Sequence, residues 1–115
     1  MHQTQGINHL GLSVKNLDQT LAFFTDCLGW EESGRDDNYP RCAVSDGNVR
    51  LTLWQVDHDL TVNEFHLRKN VGLHHFALEV ATEAELNVVL RVWPPTPVSK
   101  LSSCPNCWVR ARAST

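Results

Sequence analysis

Two stretches of the chain repeat one another: residues 6–14 read GINHLGLSV, and residues 72–80 read GLHHFALEV. The offset is 66 positions (72 − 6 = 66), and four of the nine residues are identical, a Gly, a His, a Leu and a Val. In both copies apolar residues alternate with others, which is the period-two pattern of a β-strand buried on one face. Because an internal repeat sets the architecture of a chain, the sequence indicates two copies of one structural unit.

A helix is predicted after each repeated strand. Asn16 is a suitable N-cap residue, and the apolar residues that follow it recur at helical spacing as far as Gly29, which occupies the usual place of a C-terminal glycine. After the second copy, residues 82–85 read TEAE, which is a capping box, and the next apolar helical pattern ends at Pro94. Each copy therefore predicts a strand followed by a helix.

Three further strands are predicted after the first helix. They cover residues 30–33, 41–44 and 49–56, and a turn signal, Asp-Gly-Asn at residues 46–48, separates the last two. The first unit is therefore β-α-β-β-β.

We expect one α+β domain over residues 1–115, built from a repeated β-α-β-β-β unit whose second copy is incomplete. The first unit would cover residues 5–56, a charged linker 57–70, the incomplete second unit 71–93, and an atypical Pro- and Ser-rich tail 94–115.

The alternation of the strands assigns side chains to faces. His9 falls on the face of the first strand that points away from the helix, and His75 has the same position in the second copy. Arg50, Thr52 and Trp54 share one face of the strand at residues 49–56. If these strands lie in one curved sheet, the five side chains could line a single concavity. His74 alternates to the helix side, where a packed core histidine is the expected reading.

The chain resembles the vicinal oxygen chelate superfamily, which includes lactoylglutathione lyases, extradiol dioxygenases, fosfomycin-resistance transferases and bleomycin-binding proteins. The resemblance rests on residues 7–14, 18–30, 51–55 and 72–80. It implies the fold described above. It does not choose among the reactions of the family, because one fold hosts several activities.

The resemblance also implies ligands for a divalent metal ion, Fe, Mn, Ni or Zn. Family members take these ligands from the first and last strands of each unit, which gives His9 and His75, and it gives Thr52 where relatives carry a carboxylate. Two imidazoles without a carboxylate are a weak metal set. The remaining carboxylate position of the family would fall at residue 118 by the repeat offset (52 + 66 = 118), beyond Thr115. The alternative to a ligand role is that His9 and His75 are structural histidines, half-buried in their strands.

The tail changes the character of the chain. All 13 acidic residues lie at or before Glu85, whereas residues 94–115 hold three basic residues, four of the five prolines and no acid. No alternating strand pattern is visible there. A shifted or truncated coding sequence, favoured by this composition, and a divergent natural tail both account for it. The unpaired strand edges that an incomplete second unit would leave predict a homodimer.

Composition excludes some function classes. The formal net charge of −3 argues against a nucleic-acid partner, and no apolar run approaches the roughly 20 residues of a membrane span. The first residues lack a signal-peptide pattern, so the cytoplasm is expected. Cys27 and Cys42 are expected to be free thiols, and the C-x-x-C pair Cys104 and Cys107 lacks the second pair that structural zinc needs.

Two functions stay open. The first is a metal-dependent lyase, isomerase, transferase or dioxygenase that acts on a small molecule with vicinal oxygens. The second is a metal-free module that binds a small molecule, in the manner of bleomycin-resistance proteins, with Arg50, Thr52 and Trp54 in the binding wall. The remaining hypothesis is that the chain is a folded but inactive family member. Whether the chain is an enzyme is not decided by its sequence.

Overall fold

A computed structural model describes residues 1–92 and 107–111 of the chain. Two compact units are present: residues 1–56, and the described residues from Asp57 onward. In chain order the elements are β1 (Leu10–Val14), α1 (Leu17–Ala22), β2 (Glu31–Asp36), β3 (Arg41–Ser45), β4 (Arg50–Gln55), β5 (Phe76–Val80), α2 (Glu83–Val92) and β6 (Cys107–Ala111). The α+β class and the β-α-β-β-β order of the first unit are as predicted.

The N-terminal unit is built on a four-stranded sheet in the order β1-β4-β3-β2. β1 runs parallel to β4, and the other neighbours are antiparallel. The turn between β3 and β4 forms at the predicted place: the Asp46 carboxylate accepts the backbone N–H groups of Asn48 (2.8 Å) and Val49 (2.7 Å). Gly47 takes the φ of +97° that favours glycine there. This turn sets the register of the whole hairpin.

The first helix begins at the predicted cap and ends differently from the prediction. Asn16 Oδ1 accepts the backbone N–H of Gln19 at 3.0 Å, which satisfies one of the free donors of the first turn. After α1 the chain widens into a π-helical turn at Phe23–Cys27 rather than continuing as α-helix. Gly29, at φ +71°, follows that turn, as a helix-terminating glycine does.

The core of the N-terminal unit lies between its helix and one face of its sheet. β4 shows why: Leu51 and Leu53 are fully buried, whereas Thr52 and Trp54, which alternate with them, are only half-buried. Phe24 packs at the centre, with its ring centroid 5.0 Å from that of Trp30. The buried apolar residues are Val14, Leu17, Leu21, Phe23, Phe24, Trp30, Cys42, Ala43, Val44, Leu51 and Leu53.

The second unit contains a strand, a helix and a further strand. The predicted cap of α2 forms, because Thr82 Oγ1 accepts the backbone N–H of Glu85 at 3.2 Å. The Glu85 carboxylate reaches back as in a capping box, but it accepts the backbone N–H of Ala81 (3.2 Å), one residue before the cap, rather than that of Thr82. β5 pairs in parallel with β6, as β1 does with β4.

β6 corrects the sequence analysis, in which residues 94–115 were expected to hold no strand. Five residues, CWVRA, are too short to show alternation, and their partner strand lies about 30 positions earlier in the chain. In the register, Trp108 stands opposite Ala77 as Thr52 stands opposite Gly11. The position equivalent to Thr52 is therefore Trp108 rather than residue 118. The other tail residues, including Cys104, lie outside the described residues.

None of the helices in the described parts of the chain has the length and apolar character needed to cross a membrane.

Candidate functional site

The face of the N-terminal sheet that points away from α1 carries a polar and aromatic cluster, which we call the open face. It is defined by Gly11, Arg41, Thr52 and Trp54. Gly11 on β1 stands opposite Thr52 on β4, and a Cβ built on Gly11 would lie 3.2 Å from Thr52 Oγ1. The indole Nε1–H of Trp54 donates to Thr52 Oγ1 at 3.1 Å. The hydroxyl hydrogen of Thr52 can still be donated to a ligand.

Trp54 is held by two side chains from the start of the β3 hairpin. The Tyr39 ring meets it edge to face, with 5.3 Å between centroids, and the guanidinium carbon of Arg41 lies 5.4 Å from the Trp54 ring centroid. A cation at this distance over an indole is attracted by the ring quadrupole. Trp54 is therefore held in place by neighbouring side chains and is not an isolated aromatic residue on the surface.

Arg41 and Tyr39 were absent from the sequence prediction of the site. The sequence could have predicted a place for Arg41 in the site. When the two strands that flank the turn at residues 46–48 are paired residue by residue, Ser45 stands opposite Arg50 and Arg41 stands opposite Trp54. Cross-strand partners share a face, so the register alone places Arg41 beside Trp54. No comparable signal exists for Tyr39, which precedes the strand.

A β-bulge in β2 helps to orient Arg41. The β2–β3 register shifts between Ser33 and Asp36, and Gly34 inside this irregular stretch has φ +61°. The Gly34 carbonyl accepts a hydrogen bond from Arg41 Nη1 at 3.3 Å. Bulges commonly re-aim groups at the edge of a sheet, and this one contributes an acceptor to the Arg41 side chain.

Arg50 belongs to the predicted row Arg50, Thr52 and Trp54 but stands apart from the cluster. It is exposed and begins β4. It lies four positions from Trp54, about 13 Å at the usual rise per residue. The structure thus brings Thr52 and Trp54 together and leaves Arg50 at the other end of the row.

His9 lies one residue before β1 and is exposed. Its Nδ1 is 2.8 Å from the side-chain oxygen of Asn8. Because an amide oxygen can only accept, this contact assigns the hydrogen to Nδ1, and the lone pair of the neutral ring is then on Nε2. An imidazole oriented in this way is suited to bind a metal ion or accept a hydrogen bond through Nε2.

His74 and His75 both lie just before β5, and both are exposed. Their Nδ1 atoms are 2.8 Å apart, so one ring donates a hydrogen bond to the other. The expectation that His74 is a packed core residue is wrong. Strand alternation predicts a face only within the strand, and β5 begins after both histidines.

The described side chains do not form a complete metal centre. Within residues 1–92 and 107–111, no three or more His, Cys, Asp or Glu side chains are grouped so that they could hold a metal ion. Catalytic metal sites commonly use three protein ligands and an open position. Thr52, which the resemblance places at a metal-ligand position, has a neutral hydroxyl that accepts from Trp54. The described donor set therefore does not fit a resident divalent ion.

Cys27 and Cys42 are poor nucleophiles. Cys42 is buried in the core, and burial raises the pKa of its thiol, with a smaller contribution from the Glu32 carboxylate. Cys27 is half-buried, and burial followed by the charge of Asp26 raises the pKa of its thiol. Both thiols stay protonated at neutral pH, so neither resembles a reactive cysteine, whose pKa is lowered.

Comparison with known proteins agrees with the fold. Residues 6–91 match the family model of the Glyoxalase/Bleomycin resistance protein/Dioxygenase superfamily. The chain belongs to this superfamily. The resemblance stated from the sequence is thereby confirmed.

One curated relative is the biphenyl-2,3-diol 1,2-dioxygenase of Paraburkholderia xenovorans (strain LB400). It is 36% identical over 78 residues, which cover 68% of this chain and 26% of the relative. The matched region is thus about a quarter of the length of that enzyme.

Solved structures of the superfamily share the fold. A glyoxylase/bleomycin resistance protein/dioxygenase domain from Frankia sp. EAN1pec has a TM-score of 0.64 at 25% identity, covering 77% of this chain and 67% of that one. The fosfomycin resistance protein FosX from Listeria monocytogenes, solved with Mn(II) and a dihydroxypropylphosphonic acid, has a TM-score of 0.57 at 19% identity, covering 78% and 66%. The likeness to FosX concerns the fold alone.

Proposed function

We propose that this protein binds a small molecule with a planar ring on the open face of its N-terminal unit. The observation that carries the proposal is the arrangement around Trp54, whose indole is fixed by Thr52, Tyr39 and Arg41. Small-molecule sites combine apolar and aromatic walls with a few fixed polar groups. The Thr52 hydroxyl and the Arg41 guanidinium are such groups. In this reading the chain is a binding module of the bleomycin-resistance type.

Two further observations support a ring-bearing ligand. The curated relative is named for a substrate that is an aromatic diol. Gly11 leaves room beside Thr52, because any larger residue would place its Cβ 3.2 Å from the hydroxyl oxygen. A smooth and partly polar surface beside an indole suits a flat molecule with oxygen substituents.

Ligand-observed NMR tests the proposal. A library of small aromatic acids, amides and diols is screened by saturation transfer against the metal-stripped full chain. We expect several hits for the wild type and their loss in Trp54→Ala, while His58→Ala, an exposed residue of the second unit, keeps them. Hits that survive Trp54→Ala would place the binding site away from Trp54 and contradict the proposal, and no hits at all would favour an inactive family member.

A metal-dependent enzyme is the second candidate, favoured by the orientation of His9 through Asn8 and by the similarity to a dioxygenase. It would use His9 and His75 for Fe, Mn, Ni or Zn, and it would act on a molecule with vicinal oxygens. The described residues supply no third ligand, so this candidate needs a carboxylate from elsewhere. Binding of metal by the purified protein separates the two candidates.

We also propose that the protein is a homodimer in the cytoplasm. β1 and β2 are the edge strands of the four-stranded sheet, and edges with free backbone groups favour pairing with another chain.

A further inference from the structure

We propose that the ligand of the open face carries an oxyanion, a carboxylate or a phosphonate, and that Arg41 binds it. This inference rests on the proposed binding function and adds the charge of the ligand. It assigns a role to Arg41, a residue that the sequence pattern did not single out.

The guanidinium of Arg41 is held in place and retains free donors. It stacks over Trp54 at 5.4 Å, and Nη1 donates to the Gly34 carbonyl at 3.3 Å. A guanidinium has five N–H donors in a rigid planar fork. One contact to a carbonyl leaves several donors for an oxyanion, and a side chain ordered before binding loses less entropy when the ligand arrives.

Among the residues that the structure describes, no carboxylate forms an ion pair with the Arg41 side chain. Asp36 stands opposite Arg41 in the strand register, but its Oδ1 accepts the backbone N–H of Asn38 at 2.9 Å. Arg35 shows the contrast: its guanidinium is paired with the carboxylates of Asp18 at 2.9 Å and Asp37 at 3.0 Å.

The other charges on this face lie further away. Arg50 and Glu31 occupy the far end of the sheet, on either side of Ser45 in the register. They carry opposite charges and lie two strands apart, about 10 Å at the usual strand spacing, whereas the Trp54 end presents Arg41 next to a hydroxyl and an indole. A ligand whose planar ring contacts the Trp54 indole and whose acid group contacts the Arg41 guanidinium would use both side chains. A hydrogen bond between a guanidinium and an oxyanion is charge-assisted and therefore stronger than a neutral one.

Benzoate and benzamide test the inference, because they share a ring and differ in charge. The dissociation constant of each is measured from the indole N–H resonance of Trp54 in the full-length protein. We expect benzoate to bind wild type about tenfold more tightly than benzamide, with the preference weakening as salt is added. In Arg41→Gln the preference should vanish while benzamide binding changes less than about twofold.

Matched variants sharpen the test. Arg68→Gln removes an exposed charge in the second unit and should change neither constant. Asp36→Asn keeps an acceptor for Asn38 and removes the nearest acid in the register, so benzoate should bind more tightly. Equal binding of both probes by wild type would overturn the anion inference and leave the binding function standing. Loss of benzamide binding in Arg41→Gln would show that Arg41 only supports Trp54. No response of Trp54 to either probe would overturn both proposals.

Discussion

Gly11 and Thr52 stand opposite each other on β1 and β4, so close that a Cβ on Gly11 would lie 3.2 Å from Thr52 Oγ1. The glycine is required here by space and not by backbone conformation, since its φ is not positive. The same hydroxyl accepts the Trp54 indole N–H. The shape of the open face therefore depends on the smallest residue of β1.

Gly11→Ala should disturb Thr52 and move the Trp54 indole. We expect a loss of about 1 kcal/mol in the free energy of unfolding, because the hydroxyl must shift to admit a methyl group. The loss should shrink in the Thr52→Ala background, where the crowded oxygen is absent. Urea unfolding of the four proteins of this double-mutant cycle measures the coupling. Strictly additive costs would mean that the two residues do not crowd each other.

Gly34→Ala should destabilise the protein through backbone strain. Gly34 has φ +61°, and nothing lies within 4 Å of a Cβ built there, so strain alone is at issue. The expected cost is about 1 kcal/mol, measured by chemical unfolding. Ser33→Ala, next to it on β2 and also exposed, is the control and should cost little. If the two variants are equally stable, the bulge does not need a glycine.

Ionisation of Cys42 should make the protein less stable at alkaline pH. Its pKa is raised by burial above the ordinary value of 9.0, so the folded state binds the thiol proton more tightly than the unfolded state. This contribution is present below the ordinary pKa and is lost as pH rises through the higher folded pKa. Unfolding between neutral and alkaline pH should show a steeper decline for wild type than for Cys42→Ala. Parallel curves would contradict the burial of this thiol.

Native mass spectrometry of the protein purified without added metal tests the metal-enzyme candidate. We expect chains without bound metal, because the described residues offer no third ligand. One metal ion per chain that is lost in both His9→Ala and His75→Ala, and kept in His66→Ala, would instead establish the metal site and make a third ligand certain.

The same spectrum tests the predicted dimer. We expect a species of twice the 13.0 kDa chain mass, stable on dilution to micromolar concentration, because an edge-strand interface pairs backbone groups that are otherwise unsatisfied. A species at the single-chain mass over the whole concentration range would refute the homodimer.

The parts of the fold that local chemistry determines were predictable. The cap at Asn16, the turn at Asp46 and the cap at Thr82 each form hydrogen bonds within a few residues. The alternation in β4 correctly separated the buried Leu51 and Leu53 from the open face.

What depended on distant partners was harder to predict. β6 is a five-residue strand whose pairing with β5 spans about 30 positions, and its sequence shows no period of its own. The π-helical turn after α1 places both Phe23 and Phe24 in the core, which a helical pattern does not anticipate. The prediction for His74 was wrong because β5 begins at Phe76, four residues after the start of the repeated stretch at Gly72.

The candidate site could be predicted only in part, because some of its contacts also depend on residues distant in the sequence. Thr52 and Trp54 follow from alternation along one strand, whereas Arg41 requires the register between two strands. Its contact with the Gly34 carbonyl also requires the bulge in β2, which no residue pattern in that polar strand predicts.

The proposed binding of a small planar molecule at Trp54 needs no metal ion. Its most direct test is the ¹H–¹⁵N spectrum of the metal-stripped protein during titration with the strongest ligand from the screen. The Trp54 indole resonance is assigned by its absence in Trp54→Phe. We expect this resonance to shift and saturate while that of the Trp30 indole, which is buried in the core, stays unchanged. A Trp54 resonance that does not move, or that moves only after Zn²⁺ is added, would contradict it.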